Sequence, residues 1–245
     1  MLLSNAKIKY INALKNKKYR LQYHAFIAEG RKIVEELCNS NLICEFIVLQ
    51  APNFMKVKNN LIKTFITDSK TFQSISQQES PDGILAVYKK PEIIPFDNKK
   101  KSNILILDAI KDPGNMGNII RTADWFGINK IIVSPDSVDI YNSKTIQSSM
   151  GSIANVSIYE RNITEFINNN KTNYTFYAAT LQGKDIKTMH PISSPWGLII
   201  GSESHGISHS IIDIAHTQIT IPKKGKAESL NAAMAAGILL AALTP

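Results

Sequence analysis

Three short segments hold the residue types that could do chemistry. The first, LDAIKDPGNMGNIIRTADWFG at 107–127, follows an apolar run and turns through Asp112-Pro113-Gly114. It then enters a helix with Asn115 near its start and Arg121 two turns in. A helix start offers free N–H groups that suit an anion, and Gly114 and Gly117 allow close backbone approach. By itself the turn is better read as an ordinary strand-to-helix turn with an exposed arginine. The second segment, GLIIGSESHGIS at 197–208, is an apolar strand that stops at a loop holding Gly201, Glu203 and Gly206. Ligands in open α/β sheets bind at the carboxyl ends of strands, which is where this loop stands; alone, the pattern also allows Glu203 to be a solvated loop charge. The third, ITIPKKGKAESLNAAMAAGILL at 219–240, ends a strand at Pro222, passes through a basic loop and opens a helix at Ser229. Serine before an apolar helix is most often an N-cap. Asn231 is different, because an amide in the first turn of an apolar helix needs a partner if it is buried.

These residues meet only if a sheet and its helices bring them together. Beyond residue 102 the chain shows apolar runs of strand length at 104–107, 130–133, 156–159, 175–179, 198–200 and 218–221. Such runs alternating with helices imply a mostly parallel sheet covered on both faces. The last helix, 229–243, is rich in alanine and leucine and is expected to be buried against the sheet or a partner subunit. Upstream the elements are shorter. Ile8, Ile11 and Leu14 mark a helix followed by the basic run Lys15, Lys17, Lys18 and Arg20; strands are expected at 25–28, 46–49, 64–67 and 83–88. With a helix through Ile33, Val34, Leu37 and Cys38 and another after Asp68, they make a small α/β/α domain. The stretch KKPEIIPFDNKKKS at 89–102, with two prolines and five lysines, reads as a linker. The expected division is therefore 1–90, a linker at 91–102, and 103–245.

A chain of 245 residues with 44% hydrophobic content can build one large or two ordinary domains. No window holds the roughly 20 apolar residues of a membrane span, and MLLSNAKIKY lacks a signal-peptide core, so a cytoplasmic protein is expected. Cys38 and Cys44 show neither a CxxC spacing nor nearby histidines, which points to buried free thiols in place of a disulfide or zinc site. His190, His205, His209 and His216 have no metal-ligand spacing, and no metal is assigned. The net charge of +8 lies entirely in residues 1–102, with 17 Lys and Arg against 9 Asp and Glu; residues 103–245 carry 11 of each sign. This asymmetry fits a nucleic-acid-facing segment joined to a neutral one, since Lys and Arg release counterions from a phosphate backbone. A lysine-rich solvated surface accounts for it equally well.

Taken together the three segments read NxGNIIRTAxxFG, then GxExxG, then IPxxGxxxSLNAAxAAGIxL. In this order and spacing they closely resemble the three motifs of the SpoU (TrmH) family of RNA 2′-O-ribose methyltransferases, of the SPOUT superfamily, over essentially all of residues 103–244. FIAEGRKIVEEL and SPDGILAVYKKP resemble the ribosomal-protein-like substrate-binding domain that many members carry ahead of the catalytic one. The resemblance implies an α/β-knot methyltransferase domain with a mostly parallel sheet behind a small α/β/α RNA-binding domain. In that domain the C-terminal segment threads a loop to form a deep trefoil knot, an exception to the rule against knots. It also implies a homodimer in which motifs of both subunits meet, and S-adenosyl-L-methionine held by the backbone of the knot. Gly201, Ile221 and Leu230 fall at main-chain cofactor contacts, with Thr180 and Leu181 at the end of the preceding strand. Arg121 matches the family's essential arginine and Asn115 its first-motif asparagine, while Glu203, Ser229 and Asn231 match the polar residues of the other two motifs. The implied partner is RNA, with Lys15, Lys17, Lys18, Arg20 and Arg31 as the candidates to meet its phosphates. One departure is the loop Lys223-Lys224-Gly225-Lys226, where the family commonly has an apolar residue straight after the proline.

Methyl transfer from a sulfonium is an in-line displacement, so such an enzyme must mainly place the ribose oxygen and help the hydroxyl lose its proton. A guanidinium is a poor general base because its pKa lies above about 12. Arg121 is better read as a clamp on the neighbouring phosphate that stabilises the developing alkoxide. Ribosomal RNA is preferred over transfer RNA as substrate, because the separate basic domain suits a structured loop with splayed-out nucleotides. A non-catalytic RNA-binding protein of the same fold is the alternative from another class; the intact Asn115, Arg121, Glu203, Ser229 and Asn231 speak against it. An unrelated nucleotide-binding enzyme would need a phosphate loop, and DAIKDPGNMG fits neither GxGxxG nor GxxxxGK[ST].

Overall fold

The computed structural model describes residues 1–51, 62–92, 95–97, 102–189 and 195–244; residues 93, 94 and 98–101 of the expected linker, and His190, lie outside them. The chain packs as two compact units, Met1–Glu92 with Asp139–Ala154, and Ile93–Val138 with Asn155–Pro245.

The first unit opens with α1 (Asn5–Leu14), whose start is capped by Ser4, and α2 (Lys17–Tyr23), capped by Asn16. The basic run from Lys17 onward is thus a helix of its own, because the Asn16 side chain accepts the Lys18 N–H at 2.9 Å and restarts the helix after a break at Lys15. Then come β1 (Ala25–Glu29), α3 (Arg31–Cys38), β2 (Cys44–Gln50), β3 (Thr64–Thr67), α4 (Ser69–Ile75) and β4 (Ile84–Lys89). The sheet order is β1-β4-β2-β3, with β4 antiparallel to both neighbours and β3 parallel to β2. Side chains alternate across a strand. Ile27, Phe46, Val48, Phe65, Leu85 and Val87 therefore share one face, where they pack with Ile11 and Leu14 of α1 and Phe72 and Ile75 of α4. Each such side chain, fully buried, stabilises the unit by roughly 1.5–3 kcal/mol relative to exposure. The other face is covered by α3, through buried Ile33, Val34 and Leu37.

The second unit runs β5 (Ile104–Asp108), α5 (Pro113–Trp125) and β6 (Lys130–Val133). The next helix, α6 (Ser143–Ser149), belongs to the first unit. The chain then continues as β7 (Ser157–Glu160), α7 (Ile163–Asn170), β8 (Thr175–Asp185), β9 (Trp196–Gly201), the short α8 (His209–Ile212), β10 (Thr217–Thr220) and α9 (Ala232–Leu243). Six strands form one sheet in the order β10-β8-β9-β5-β6-β7, and every neighbouring pair is parallel. Ile104, Ile106, Ile132, Phe176, Ala178 and Ile199 pack with Ile163, Phe166 and Ile167 of α7 on one face. α5 and α9 pack on each other, and α9 also packs on β9. Chain connections leave β5 and β9 in opposite directions across the sheet, so their carboxyl ends form a topological switch point. Asp108 pairs with Gly201 there.

Two elements depart from the expected boundaries. β8 runs on to Asp185 because β10 pairs with it in two pieces. Gln218 faces Ala178, but the next residue, Ile219, faces Lys184. The stretch 179–183 is therefore out of register with β10, a bulge at the carboxyl end of the sheet. Gly183 lets the strands approach there, since an added Cβ would lie 2.6 Å from the Ile219 backbone. α9 begins at Ala232, so its N-cap is Asn231 and not Ser229.

Asp139–Ala154, the segment between β6 and β7, packs into the first unit, with α6 on β1 and with an ion pair and a ring contact among its links. Arg20 reaches Asp139 Oδ2 from Nε at 2.9 Å and from Nη2 at 2.7 Å, and Tyr141 lies 4.9 Å from the Phe26 ring.

Candidate functional site

The first segment is positioned by its own cap. Asp112 Oδ1 accepts the Asn115 N–H at 2.7 Å and Pro113 occupies the first helical turn, which holds Asn115 at the start of α5. The second segment folds back on itself directly after β9. Ser202 and Gly206 exchange backbone hydrogen bonds of 3.1 and 2.9 Å, with Gly206 at φ +66. Gly201 is obligatory for this turn: an added Cβ would lie 2.1 Å from the Gly206 carbonyl carbon. Buried Asp108 ties the loop to β5, its Oδ2 accepting from Ser208 N–H at 2.8 Å and Ser208 Oγ at 2.6 Å.

The three segments meet through side chains. Asn115 Nδ2 donates to Glu203 Oε1, and Asn231 Nδ2 donates to Asn115 Oδ1 at 2.9 Å. Asn231 Oδ1 accepts from Ala233 N–H at 2.9 Å and Met234 N–H at 3.3 Å, so one amide both caps α9 and anchors the chain of contacts. Asn231 needs its partner as expected, but as an exposed cap rather than a buried first-turn residue.

Glu203 and Ser229 lie on the wall of a cavity of about 700 Å³ at the carboxyl ends of β8, β9 and β10. The volume falls within the roughly 300–1,000 Å³ of cofactor sites. Thr180, Leu181, Gly201, Ile221 and Leu230 all line it. The out-of-register stretch of β8 supplies Thr180 and Leu181, the tight loop supplies Gly201, and the passage from β10 to α9 supplies Ile221, Ser229 and Leu230. These walls combine apolar side chains with backbone that the sheet leaves unpaired. This suits an uncharged ring and a polar tail, and S-adenosylmethionine has both.

Arg121 stands apart. It is exposed on α5, and among the described residues no hydrogen bond or ion pair engages its side chain. Of the five expected phosphate-binding residues, Lys17 and Lys18 are exposed, and Arg31 is exposed with Glu35 at 3.7 Å. Two expectations are corrected. Arg20 is only 5% exposed; beside its pair with Asp139, its Nη1 donates to the carbonyls of Leu14 and Lys15 at 2.9 Å each, so it holds the fold and meets no phosphate. Lys15 Nζ donates to the Ser74 and Ser76 carbonyls at 3.1 and 3.0 Å, and burial lowers its pKa below the usual lysine value. Cys38 and Cys44 are free but half-buried, with Cys38 Sγ 3.1 Å from Tyr88 Oη. Asp108 was not singled out from the sequence; the signal was a carboxylate at the end of an apolar strand that opens a motif. Among the described residues no group of three or more His, Cys, Asp or Glu could hold a metal, and no helix is long and apolar enough to cross a membrane.

Comparison with known proteins gives two family matches, the SpoU rRNA methylase family over residues 102–241 and the MRM3-like substrate-binding domain over residues 5–86. The chain is 30% identical over 238 residues to the 23S rRNA (guanosine(2553)-2′-O)-methyltransferase RlmP of Bacillus subtilis, covering 96% of this chain and 95% of that one. Among solved structures, a protein assigned to the TrmH family of RNA methyltransferases from Porphyromonas gingivalis matches with a TM-score of 0.86 and 32% identity. That match covers 99% of this chain and 98% of the other. An AdoMet-bound rRNA methyltransferase from Sinorhizobium meliloti matches with a TM-score of 0.86 and 28% identity, covering 98% and 94%.

Proposed function

The chain belongs to the SpoU rRNA methylase family, and we propose accordingly that it transfers a methyl group from S-adenosylmethionine to a ribose 2′-hydroxyl of ribosomal RNA in the cytoplasm. The observation that carries this reading is the hydrogen-bonded chain Asn231–Asn115–Glu203 at the cavity rim, which joins all three motifs. S-adenosylmethionine supplies the electrophilic methyl carbon. Gly201, Thr180, Leu181, Ile221 and Leu230 would hold it through backbone and apolar contact. The amides of Asn115 and Asn231 fix the Glu203 carboxylate, whose remaining oxygen can accept a hydrogen bond from substrate or cofactor. Arg121, exposed and uncommitted, clamps the phosphate beside the target ribose, orients its O2′ and stabilises the charge that develops there, while the hydroxyl proton passes to that phosphate or to water.

Residues 1–90 serve as the RNA-binding domain, joined by 91–102 to the methyltransferase domain 103–245, whose segment Asp139–Ala154 packs with the first unit. The path from β10 at the sheet edge through residues 221–231 to α9 on β9 supports the trefoil threading that the family resemblance implies. A homodimer is supported by uncovered apolar side chains at the last helix, Met234 and Ile238 one turn apart on it and Leu230 just ahead of its cap, at 62%, 40% and 48% exposure. Trp125 on α5 is 84% exposed.

Mass spectrometry of nucleosides tests the reaction, using ribosomal and transfer RNA from cells lacking the gene, purified protein and labelled S-adenosylmethionine. A labelled 2′-O-methylnucleoside in ribosomal RNA is expected. Label confined to transfer RNA would change the substrate, and no label despite RNA binding would favour a non-catalytic RNA-binding protein.

A further inference from the structure

α2 carries an aromatic pair that the core does not use. Tyr19 is 36% exposed and Tyr23 45%, and their rings lie 6.2 Å apart at an interplanar angle of 18°. The pair sits on a rigid base. Tyr10 meets Tyr23 edge-on at 5.2 Å and is itself held by Glu45, whose Oε2 accepts from Tyr10 Oη at 3.2 Å. Between the two tyrosines in sequence Arg20 is buried and bonded through all three guanidinium nitrogens, which fixes the helix beneath them. Lys17 and Lys18 are exposed on the same helix, with Lys18 Nζ 5.9 Å from the Tyr19 ring centre.

We propose that Tyr19 and Tyr23 form a stacking platform for unpaired bases of the RNA substrate, with Lys17 and Lys18 meeting the adjoining phosphates. The proposal rests on the reading of this chain as an RNA-modifying enzyme. Exposed aromatic rings flanked by cations are what single-stranded nucleic acid requires, because any base can stack on a ring face while its phosphate pairs with the neighbouring charge. Charge favours this occupant over an apolar protein surface: residues 1–102 carry the whole excess of +8. Immobilisation of the pair also lowers the entropy cost of binding, since the rings are already parallel before RNA arrives. The platform acts on affinity and on the choice of unpaired over paired RNA, and leaves the chemical step to the second unit.

The test is fluorescence anisotropy of the full-length protein with a labelled RNA hairpin carrying an unpaired loop and with a fully paired duplex of equal length. The double variant Tyr19→Ala/Tyr23→Ala should weaken hairpin binding by roughly 5–150-fold per stacked base and leave duplex binding nearly unchanged. Tyr19→Phe/Tyr23→Phe should retain hairpin affinity, because the rings remain. Binding of labelled S-adenosylmethionine and an unchanged melting temperature serve as folding controls. Photo-cross-linking of 4-thiouridine-substituted hairpin should land on the peptide holding Tyr19 and Tyr23. Equal hairpin affinity of wild type and the alanine variant overturns the platform alone, as does a loss that phenylalanine fails to rescue. Absence of hairpin binding by the wild type, with cofactor still bound, overturns both the platform and the RNA-substrate reading.

Discussion

Arg20 in the first unit and Arg121 in the second were both expected to meet RNA, and the structure treats them oppositely. Arg20 is 5% exposed, with its guanidinium bonded to Asp139 and to two backbone carbonyls. Arg121 is exposed on α5 with no partner among the described residues. Both units bury charge, Arg20 and Glu29 in the first and Asp108 and Lys130 in the second. In the first, charge is placed inside: Glu29 is buried, accepts from Gln77 N–H at 2.9 Å and from Ser76 Oγ, and its carboxyl is held above the usual range by burial. In the second, polar side chains gather at the exposed carboxyl edge of the sheet, where Asn115, Glu203 and Asn231 bond to one another. Arg20 is satisfied by its own chain, whereas Arg121 is left with open valences.

The largest expected effect falls on Arg20. Arg20→Ala leaves Asp139 and the Leu14 and Lys15 carbonyls without their donor, and should cost about 3–5 kcal/mol in denaturant unfolding, while folded protein still binds S-adenosylmethionine. A cost below about 1 kcal/mol would break the contrast by making the pair a surface bridge. Asn231 comes next. Asn231→Ala removes the cap of α9 and should cost about 0.5–2 kcal/mol. Asn231→Ser keeps a capping oxygen but is too short to reach Asn115. Its unfolding should therefore stay close to wild type while methyl transfer falls at least tenfold, about 1.4 kcal/mol of lost transition-state stabilisation. Normal transfer by the serine variant would make Asn231 a cap and nothing more.

The second unit was the more legible from sequence. Its central strands β5, β6 and β9 are buried on both faces and read as continuous apolar runs, and its motifs follow the carboxyl ends of β5, β9 and β10. The five positions assigned to the cofactor do line one cavity. Contacts that skip along the chain were not legible. Arg20 and Asp139 are 119 residues apart, and local pattern makes Arg20 one more member of a basic run. The docking of Asp139–Ala154 into the first unit has the same cause. The cap of α9 lies two residues beyond the expected one because Ser229 and Asn231 are both good caps, and only the partner on Asn115 decides between them. The bulge in β8 depends on Gly183 meeting β10, a contact between strands that periodicity within one strand does not encode.

The most direct test of the central claim, that the open-valence arginine on α5, apart from the joined motifs, serves the reaction, is single-turnover methyl transfer to ribosomal RNA by Arg121→Ala. Being exposed and unpaired, the residue should be replaceable with unchanged melting temperature and cofactor affinity, while the transfer rate falls by roughly 10²–10³-fold, the usual loss of one charge-stabilising donor. A variant that transfers within a few-fold of wild type, or one that merely unfolds, would contradict the account.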